Sequence, residues 1–251
     1  MTDKPIIFSA SMVQALLAGR KNQTRRLLNP QPDLNDAGLW RYPPDSVCNG
    51  VDPKLWVKRF GGFCQTDAEG LASFLLHPSN GRRLLPYAPG DRLYVREAWH
   101  AARSLDDVAP RDISLDASIE HAATARNYAE IGLKGRLRAS IHMPRWASRL
   151  TLTVTEVRVQ RLQEISEADA VAEGVAEVSA AWQDADEPAT YPSFQAYGQD
   201  ACFSGAGAAR LSFMTLWSSL HGPDAWATNP WVVAVSFAVQ NGNIDAVKPN
   251  A

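Results

Sequence analysis

The chain has 251 residues, of which 45% are hydrophobic and 21% charged, and its formal net charge is -2. These values are typical of an ordinary globular protein built as one large domain or two small ones. The near-neutral charge argues against indiscriminate binding to long nucleic acids, which depends on many phosphate contacts, but it allows the binding of one nucleotide in a pocket.

The sequence also lacks the usual marks of membrane, disulfide and metal proteins. No apolar run approaches the ~20 residues that span a bilayer, and the start, MTDKPIIFSAS, lacks the apolar region of a signal peptide. Cys48, Cys64 and Cys202 form no CxxC pair, and the five histidines lack metal-ligand spacing. We therefore expect a cytoplasmic protein with no disulfide framework, no metal, no cofactor and no membrane partner.

The first predicted element is a short helix, SASMVQALLA, at residues 9–18. Its apolar residues are spaced at i and i+4, and Ser9 can cap its start. Gly19 suits the position just after a helix end, where a left-handed backbone is common. The helix is therefore expected to end where a basic cluster begins.

That cluster, GRKNQTRR, holds Arg20, Lys21, Arg25 and Arg26, although the whole chain is slightly acidic. Most charge runs are solvated surfaces, so the plain interpretation is an exposed helix end. The cluster runs into QTRRLL, which can form a strand with Thr24 and Arg26 on one face. If the cluster continues into this strand, it is part of a functional site instead of an exposed helix end.

Residues 29–85 are rich in Pro, Gly and Asp and are predicted to be an irregular insertion. The next predicted element is a strand, GDRLYVREAW, after a turn. Glu97 falls on the apolar phase of this strand, which is unusual for a carboxylate. It is either solvated at the end of the strand, or it faces a pocket and pairs with an arginine.

A polar stretch at about 101–137 precedes the loop HMPRWASR. There His142, Arg145 and Trp146 bring together a hydrogen-bond donor, a cation and a stacking surface. A structural turn with a core tryptophan explains the loop equally well. In the strand that follows, LTLTVTEVRV, the apolar alternation changes phase after Val154, which indicates a bulge or bend of the kind common in small barrels.

A second short helix is predicted at ISEADAVAEGV. Ser166 and Asp169 resemble a capping box at its start, and Gly174 suits its end. Glu173 then lies at the negative end of the helix dipole, which disfavours the carboxylate form and suits a group that exchanges a proton. Many glutamates in such positions are simply exposed.

The last part of the chain begins with another irregular stretch at about 176–208. The following helix, LSFMTLWSSLHG, is expected to bury Leu211, Met214 or Phe213, Trp217 and Leu220. The final strand, WVVAVSFAV, is apolar on both phases and is expected at the centre of a sheet that also contains the two earlier long strands.

At its start the chain resembles the ASCH domain family of the PUA-like superfamily, whose signature is G-x-K-x-x-E-x-R. Here the motif reads Gly19, Lys21, Thr24 and Arg26, with threonine in the glutamate position. This form resembles the branch that contains small N4-acetylcytidine amidohydrolases, which carry G-R-K-T-x-T-x-R. The longer pattern, from KPIIFSASMVQALLAGRKNQTRR to NPWVVAVSF, resembles bacteriophage and prophage ASCH proteins.

The resemblance implies an α+β fold: one PUA-like β-barrel domain over residues 1–251, with short helices and large irregular insertions at about 29–85, 101–137 and 176–208. It implies a metal-independent amidohydrolase that removes an acyl group from a modified nucleoside or base such as N4-acetylcytidine. The alternative is a non-catalytic module that binds RNA, DNA or a modified base, because fold does not fix function.

The catalytic lysine and threonine of that branch correspond to Lys21 and Thr24, and its glutamate corresponds to Glu173. Lys21 would be the general base: the nearby arginines favour its neutral form, whereas the helix end favours its charged form. Thr24 would be the nucleophile and Glu173 the proton shuttle. The residues expected to bind the substrate are Arg26, Glu97, Tyr94, His142, Arg145 and Trp146.

Overall fold

The computed structural model of the chain describes residues 3–29, 31–34, 40–41, 65–66, 85–124, 134–178 and 192–247. This part of the chain is a mixed α+β structure with few helices, as expected. Its α-helices are α1 (Ala10–Leu17), α2 (Glu167–Ala172) and α3 (Ala208–His221).

Its strands are β1 (Asp3–Ile7), β2 (Gln23–Leu27), β3 (Asp33–Leu34), β4 (Trp40–Arg41), β5 (Gln65–Thr66), β6 (Arg92–Arg96), β7 (Trp99–Ala101), β8 (Ile119–His121), β9 (Leu150–Arg161), β10 (Glu177–Val178), β11 (Ser193–Gln195), β12 (Cys202–Ser204) and β13 (Trp231–Asn241). Single turns of 3-10 helix lie at Arg103–Leu105, Pro110–Asp112, Ala122–Thr124, Ser140–His142, Arg145–Ala147 and Leu162–Glu164.

The main sheet contains five strands in the order β1–β6–β9–β13–β2. β1 is parallel to β6, whereas β6 with β9 and β13 with β2 are antiparallel pairs. In the described part of the chain the sheet is therefore open, with β1 and β2 at its edges, rather than closed into a barrel. The prediction that the three long strands share one sheet is confirmed, and the PUA-like assignment stays a prediction.

Burial along the two longest strands follows their apolar patterns. In β9, Leu152 and Val154 are buried, the next two residues are exposed, and burial resumes at Val157. The predicted change of phase is confirmed. In β13, residues 231–235 are all buried, which fits a strand that lies between β9 and β2.

The longest helix in the described residues is α3, with 14 residues. Leu211 and Leu220, which were expected to be buried, are 41% and 51% exposed. Its buried side chains are Ala208, Ala209, Ser212, Phe213, Thr215 and Trp217. The buried face thus consists of small residues beside two aromatic rings. Across the described ranges, no helix combines the length and the apolar character needed to cross a membrane.

The chain divides into two compact units, the first made of Met1–Asn22, Pro89–Thr155 and Phe237–Ala251, the second of Gln23–Ala88 and Glu156–Ser236. The described core of the first unit includes Trp99 and Met143, and that of the second includes Phe213 and Trp217. Most of the predicted insertion at about 29–85 lies outside the described residues. The prediction of one domain with three insertions stays a prediction.

Candidate active site

Lys21 follows the end of α1, and the local sequence explains how the chain turns there. The Ser9 side chain accepts a backbone hydrogen bond in the first turn of the helix, and Gly19 has a φ of 70° just after its end. The N–H groups of Arg20 and Lys21 both donate to the carbonyl oxygen of Ala15, at 2.9 and 3.2 Å. The main chain therefore folds back against the helix end, and the predicted end of the helix just before Gly19 is confirmed.

This turn places the Lys21 side chain in the interior of the protein. The residue is 0% exposed, and its Nζ lies 5.6 Å from the centroid of the Phe8 ring, within range of a cation–π interaction. Lysine is almost never fully buried without compensation, because removing an ammonium group from water is costly. The adjacent Arg20 is exposed. The basic cluster is thus not a uniformly solvated helix end.

Thr24 and Arg26 lie in β2, where they are positioned by antiparallel pairing with β13. Thr24 is opposite Val235, and Arg26 is opposite Val233. Alternation along the strand puts the two side chains on one face. Thr24 is 3% exposed, and Arg26 is half-buried.

The opposite face of β2 carries a buried ionic network centred on Arg25, which sequence analysis treated only as one of the positive charges near Lys21. The Arg25 side chain is 0% exposed. Its Nη1 donates to Gln23 Oε1 at 2.6 Å and to Glu173 Oε1 at 3.1 Å, and its Nη2 donates to Asp169 Oδ2 at 2.9 Å. The guanidinium group therefore joins β2 to α2 through two carboxylates.

Glu173 is the residue that caps the C-terminal end of α2, and it is 5% exposed. The helix starts at Ser166, whose side chain accepts from the N–H of Asp169, and Gly174 with a φ of 84° follows its end. Both helix signals predicted from the sequence are confirmed. Asp169 and Glu173 are four residues apart, so both face β2, and the predicted proton shuttle has a guanidinium partner.

Glu97 is also buried and paired, in the first unit. The residue is 1% exposed, and Arg149 donates to both carboxylate oxygens, from Nε at 2.9 Å and from Nη2 at 3.0 Å. Of the two interpretations from the sequence, pairing with an arginine is the one found. The Arg149 Nη1 also donates to Thr124 Oγ1 at 2.9 Å.

Tyr94 and Arg145 are two predicted site residues that meet directly. The Arg145 Cζ lies 5.6 Å from the centroid of the Tyr94 ring, and the Tyr94 residue is 9% exposed. Arg145 also donates to the carboxylates of Asp3 and Asp245, in each case at 2.6 Å from its Nη2. Tyr94 thus lies under a cation that is held by two acidic residues.

The loop that contains His142 and Trp146 is held by hydrogen bonds from Asn243, which lies 98 residues further along the chain than Arg145. The side-chain amide of Asn243 donates to the carbonyl oxygens of Arg145, Trp146 and Ser148, at 2.8, 3.0 and 2.9 Å. Trp146 is half-buried and packs against the core of the first unit, whereas His142 is exposed. These contacts agree with the structural turn that was the alternative interpretation of the loop.

A cavity of about 460 Å³ opens in the second unit and was not found from the sequence. Its lining includes His221 and Trp217, whose ring centroids are 4.2 Å apart. Burial and the charge of Arg26 lower the pKa of His221, while burial raises the pKa of Tyr87 against the effect of Arg26. The positive charge of Arg26 therefore acts on a residue of this cavity. The sequence feature that could have indicated this site is the i, i+4 spacing of Trp217 and His221 in WSSLH, which places both rings on one face of the helix.

Lys21 belongs to the first unit, and Thr24 and Glu173 belong to the second. Each is a buried polar residue, and their convergence on one pocket stays a prediction. Among the residues that the structure describes, no three His, Cys, Asp or Glu side chains are grouped so as to hold a metal ion.

Comparisons of the chain with known protein families, with curated proteins and with solved structures found no match. The class that the described residues define is a mixed α+β protein with an open five-stranded sheet and buried charged side chains.

Proposed function

We propose that this protein is a metal-independent amidohydrolase that removes an acyl group from a modified nucleoside or base of the N4-acetylcytidine type. The observation that carries the proposal is the complete burial of Lys21 inside the motif Gly19, Lys21, Thr24 and Arg26. Burying a charged amine is costly, so a lysine that only adds surface charge is expected to remain exposed to water. A catalytic amine, in contrast, works in a site from which water is excluded.

The resemblance to the ASCH and PUA-like proteins is part of the same proposal. It is supported by the order of the motifs along the chain and by the α+β class of the fold. Since fold does not fix function, the support for the activity comes from the buried residues of the motif.

The proposed reaction uses three side chains and water. The Lys21 amine takes the proton of the Thr24 hydroxyl, and the oxygen attacks the acyl carbon. As the carbon–nitrogen bond breaks, the proton passes from Lys21 through Glu173 to the leaving amino group, which leaves an acyl ester on Thr24. Lys21 then takes a proton from water, the hydroxide cleaves the ester, and Thr24 is reprotonated. The sum is amide plus water giving amine plus acid.

Substrate binding is assigned to the remaining predicted residues. Arg26 would hold the acyl oxygen or a phosphate, because a guanidinium favours oxygen ligands with negative charge. Glu97 would orient the base together with its partner Arg149. Between the two aromatic candidates, the 9% exposure of Tyr94 under Arg145 favours the half-buried Trp146 as the stacking surface.

The test compares turnover and binding in matched variants. Purified protein is incubated with N4-acetylcytidine and a panel of N-acylated nucleosides, with and without EDTA, and products are followed by mass. We expect Lys21→Ala to lower turnover by about 10²–10⁴-fold, with a much smaller effect on binding. Lys21→Arg should also lose turnover, because a guanidinium group does not deprotonate near neutral pH and so cannot act as the base.

Arg20→Ala is the matched control, since Arg20 is the exposed neighbour of Lys21 in the same cluster. It should lower turnover far less than Lys21→Ala, because it removes a nearby charge and leaves the Lys21 amine in place. A wild-type protein that binds N4-acetylcytidine and hydrolyses neither it nor a related amide would show that the proposal is wrong. Loss of turnover with EDTA and its return with zinc would contradict the metal-independent mechanism.

One contact is equally compatible with the alternative, a non-catalytic module that binds a modified base or RNA. The ion pair between Arg25 and Glu173 serves a structural purpose as readily as a catalytic one. For such a module, Lys21→Arg would keep the positive charge and much of the affinity, and no product would form with any variant.

A further inference from the structure

We propose that the cavity of the second unit is a binding site for a nucleotide, with a flat nitrogen heterocycle in the cavity and the phosphate on the side of Arg26. The described residues that line the cavity do not include Lys21, Thr24 or Glu173, so the inference goes beyond the proposed reaction. The volume of about 460 Å³ lies in the range of small-molecule pockets, about 300–1,000 Å³.

The aromatic surface of the cavity is held in position by the helix that carries it. His221 is exposed at the end of α3, and its ring centroid lies 4.2 Å from that of Trp217, which is 3% exposed. Because Trp217 covers one side of the imidazole ring, the exposed part of that ring lies on its other side. A ring that is already held in position loses little freedom when a ligand stacks on it. Every nucleobase has a flat face that can stack in this way.

The walls beside the ring are mainly apolar. They include Leu27 and Leu28 at the end of β2 and Pro230 just before β13. Gln31 fixes this wall, because its Nε2 donates to the main-chain carbonyl oxygens of Leu28 and Trp231. A mostly apolar lining with a few polar groups is typical of sites that bind a flat organic ligand. Among the described lining residues there is no carboxylate that would repel a phosphate.

Polar groups at the cavity can bind the edge of a heterocycle. Asn29 is exposed, and its side-chain amide makes no hydrogen bond to the described part of the chain, so it offers a donor and an acceptor side by side. Asparagine binds the edge of adenine with this pair of groups. Thr228 Oγ1 donates to the carbonyl oxygen of Ala225 at 2.9 Å and keeps its lone pairs as acceptors. The buried Nε1 of Trp217 has no hydrogen-bond partner among the described residues, and a buried donor without an acceptor is costly.

The charge of Arg26 favours a ligand that carries an anionic group. The N–H of Leu28 donates to the carbonyl oxygen of Trp231 at 3.0 Å, so the pairing with β13 continues past the end of β2. Alternation then places Leu28 on the same face as Arg26, about 7 Å further along. Burial and, less strongly, the charge of Arg26 lower the pKa of His221, so this charge reaches the cavity. The positive charge that disfavours a protonated imidazole attracts a phosphate.

The experiment measures the binding of adenosine monophosphate (AMP) to the whole chain. AMP has no amide bond to hydrolyse and adenine is not the base of the proposed substrate, so the result does not depend on the proposed function. We expect binding in calorimetry, and we expect the NMR signals of the His221 ring to shift while those of His121, in the first unit, do not. Absence of AMP binding, or binding without a shift of the His221 signals, overturns the proposal.

Variants of the cavity test which side chains bind the ring. His221→Ala should weaken AMP binding by about 10-fold or more, as expected when a stacking surface is lost. Leu220→Ala is the matched control, because Leu220 is the 51% exposed neighbour of His221 and is not among the described lining residues. It should keep wild-type affinity. Asn29→Ala, at an exposed position, should also weaken binding, and it decides the matter if circular dichroism shows that His221→Ala does not fold. Wild-type affinity in both cavity variants overturns the proposal.

Two fragments of AMP test the two halves of the ligand. Adenosine has the ring without the phosphate, and ribose-5-phosphate has the phosphate without the ring. We expect AMP to bind more tightly than either fragment, and Arg26→Gln to weaken the binding of AMP much more than that of adenosine. Either fragment binding as tightly as AMP overturns the nucleotide assignment. A wild-type protein that binds AMP in this way and hydrolyses no amide would contradict the proposed function alone.

Discussion

Arg149 binds both oxygens of the Glu97 carboxylate, with Nε–Oε1 at 2.9 Å and Nη2–Oε2 at 3.0 Å. The carboxylate is almost completely buried, whereas the guanidinium is 27% exposed. Two parallel hydrogen bonds to a carboxylate are the strongest arrangement that an arginine offers. The contact therefore fixes Glu97 in the first unit.

We predict that Arg149→Met destabilises the protein by about 3 kcal/mol, the low end for a buried pair that loses one partner, because Arg149 retains some contact with water. The reason is the charge of Glu97, which would remain buried without its cation. Urea unfolding at neutral pH measures the loss.

The control is the double variant Glu97→Gln with Arg149→Met. Because it removes the buried charge together with its partner, it should be more stable than Arg149→Met alone. A double variant that is less stable than both single variants would mean that packing, not charge, dominates the contact.

The Asp169 network makes a prediction for the pH dependence of stability. Burial alone would raise the pKa of Asp169, but the hydrogen bond from Arg158 and the charge of Arg25 outweigh it and lower the pKa. A lowered pKa in the folded state stabilises the protein above the unfolded value of about 3.9, and this contribution is lost as the pH falls through the folded value.

Wild type should therefore be more stable than Asp169→Asn near neutral pH, and the difference should shrink below about pH 4. Urea unfolding of both proteins over a series of pH values tests this. A difference that does not change with pH would show that Asp169 contributes through packing or neutral hydrogen bonds.

The short helices were predictable because their boundaries depend on local signals. Ser9 and Ser166 cap the starts of α1 and α2, and Gly19 and Gly174 follow their ends with a left-handed backbone. Such signals act within a few residues, so one sequence is enough to find them. The central position of β13 followed from its apolar character on both faces.

Pairing of Glu97 with an arginine was one of two interpretations, but the particular partners in the ion pairs were not predictable, because they are distant in the chain. Glu97 and Arg149 are separated by 52 positions, and Arg25 and Glu173 by 148. In β2 both faces are polar, so no hydrophobic contrast indicates that Arg25 faces the core.

On α3 the predicted burial of Phe213 and Trp217 is confirmed, but that of Leu211 and Leu220 is wrong. The helix instead buries small residues such as Ala208 and Ser212, which allow close packing.

The cavity in the second unit gives a prediction for Arg26. Burial and, less strongly, the charge of Arg26 lower the pKa of His221. Arg26→Gln should therefore raise the pKa of His221 part of the way to its usual value, since burial remains. Because the folded state disfavours the protonated imidazole, His221 lowers stability as the pH falls below about 6.5.

NMR titration of the histidine rings measures this shift and contains its own control. The pKa of His121, in the first unit, is lowered mainly by burial and is also affected by Glu97 and Arg149, but not by Arg26. The His121 titration should be unchanged in Arg26→Gln. A His221 titration that does not move would show that the charge of Arg26 does not reach this cavity.

Thr24 allows the nucleophile to be removed without disturbing the strand. It is 3% exposed in β2 and lies opposite Val235 in β13, so valine, which has the shape of threonine and favours strands, fits the position. We predict that Thr24→Val folds normally and lowers the turnover of N4-acetylcytidine by about 10⁴-fold or more, as expected when a nucleophile is lost.

Thr24→Ser keeps the hydroxyl and should retain much of the activity. Rapid acid quenching followed by mass measurement should detect one acyl group on the wild-type protein and none on Thr24→Val. Turnover by Thr24→Val at the wild-type rate would show that water attacks the amide directly, and would leave Lys21 as the base of a mechanism without an acyl-enzyme.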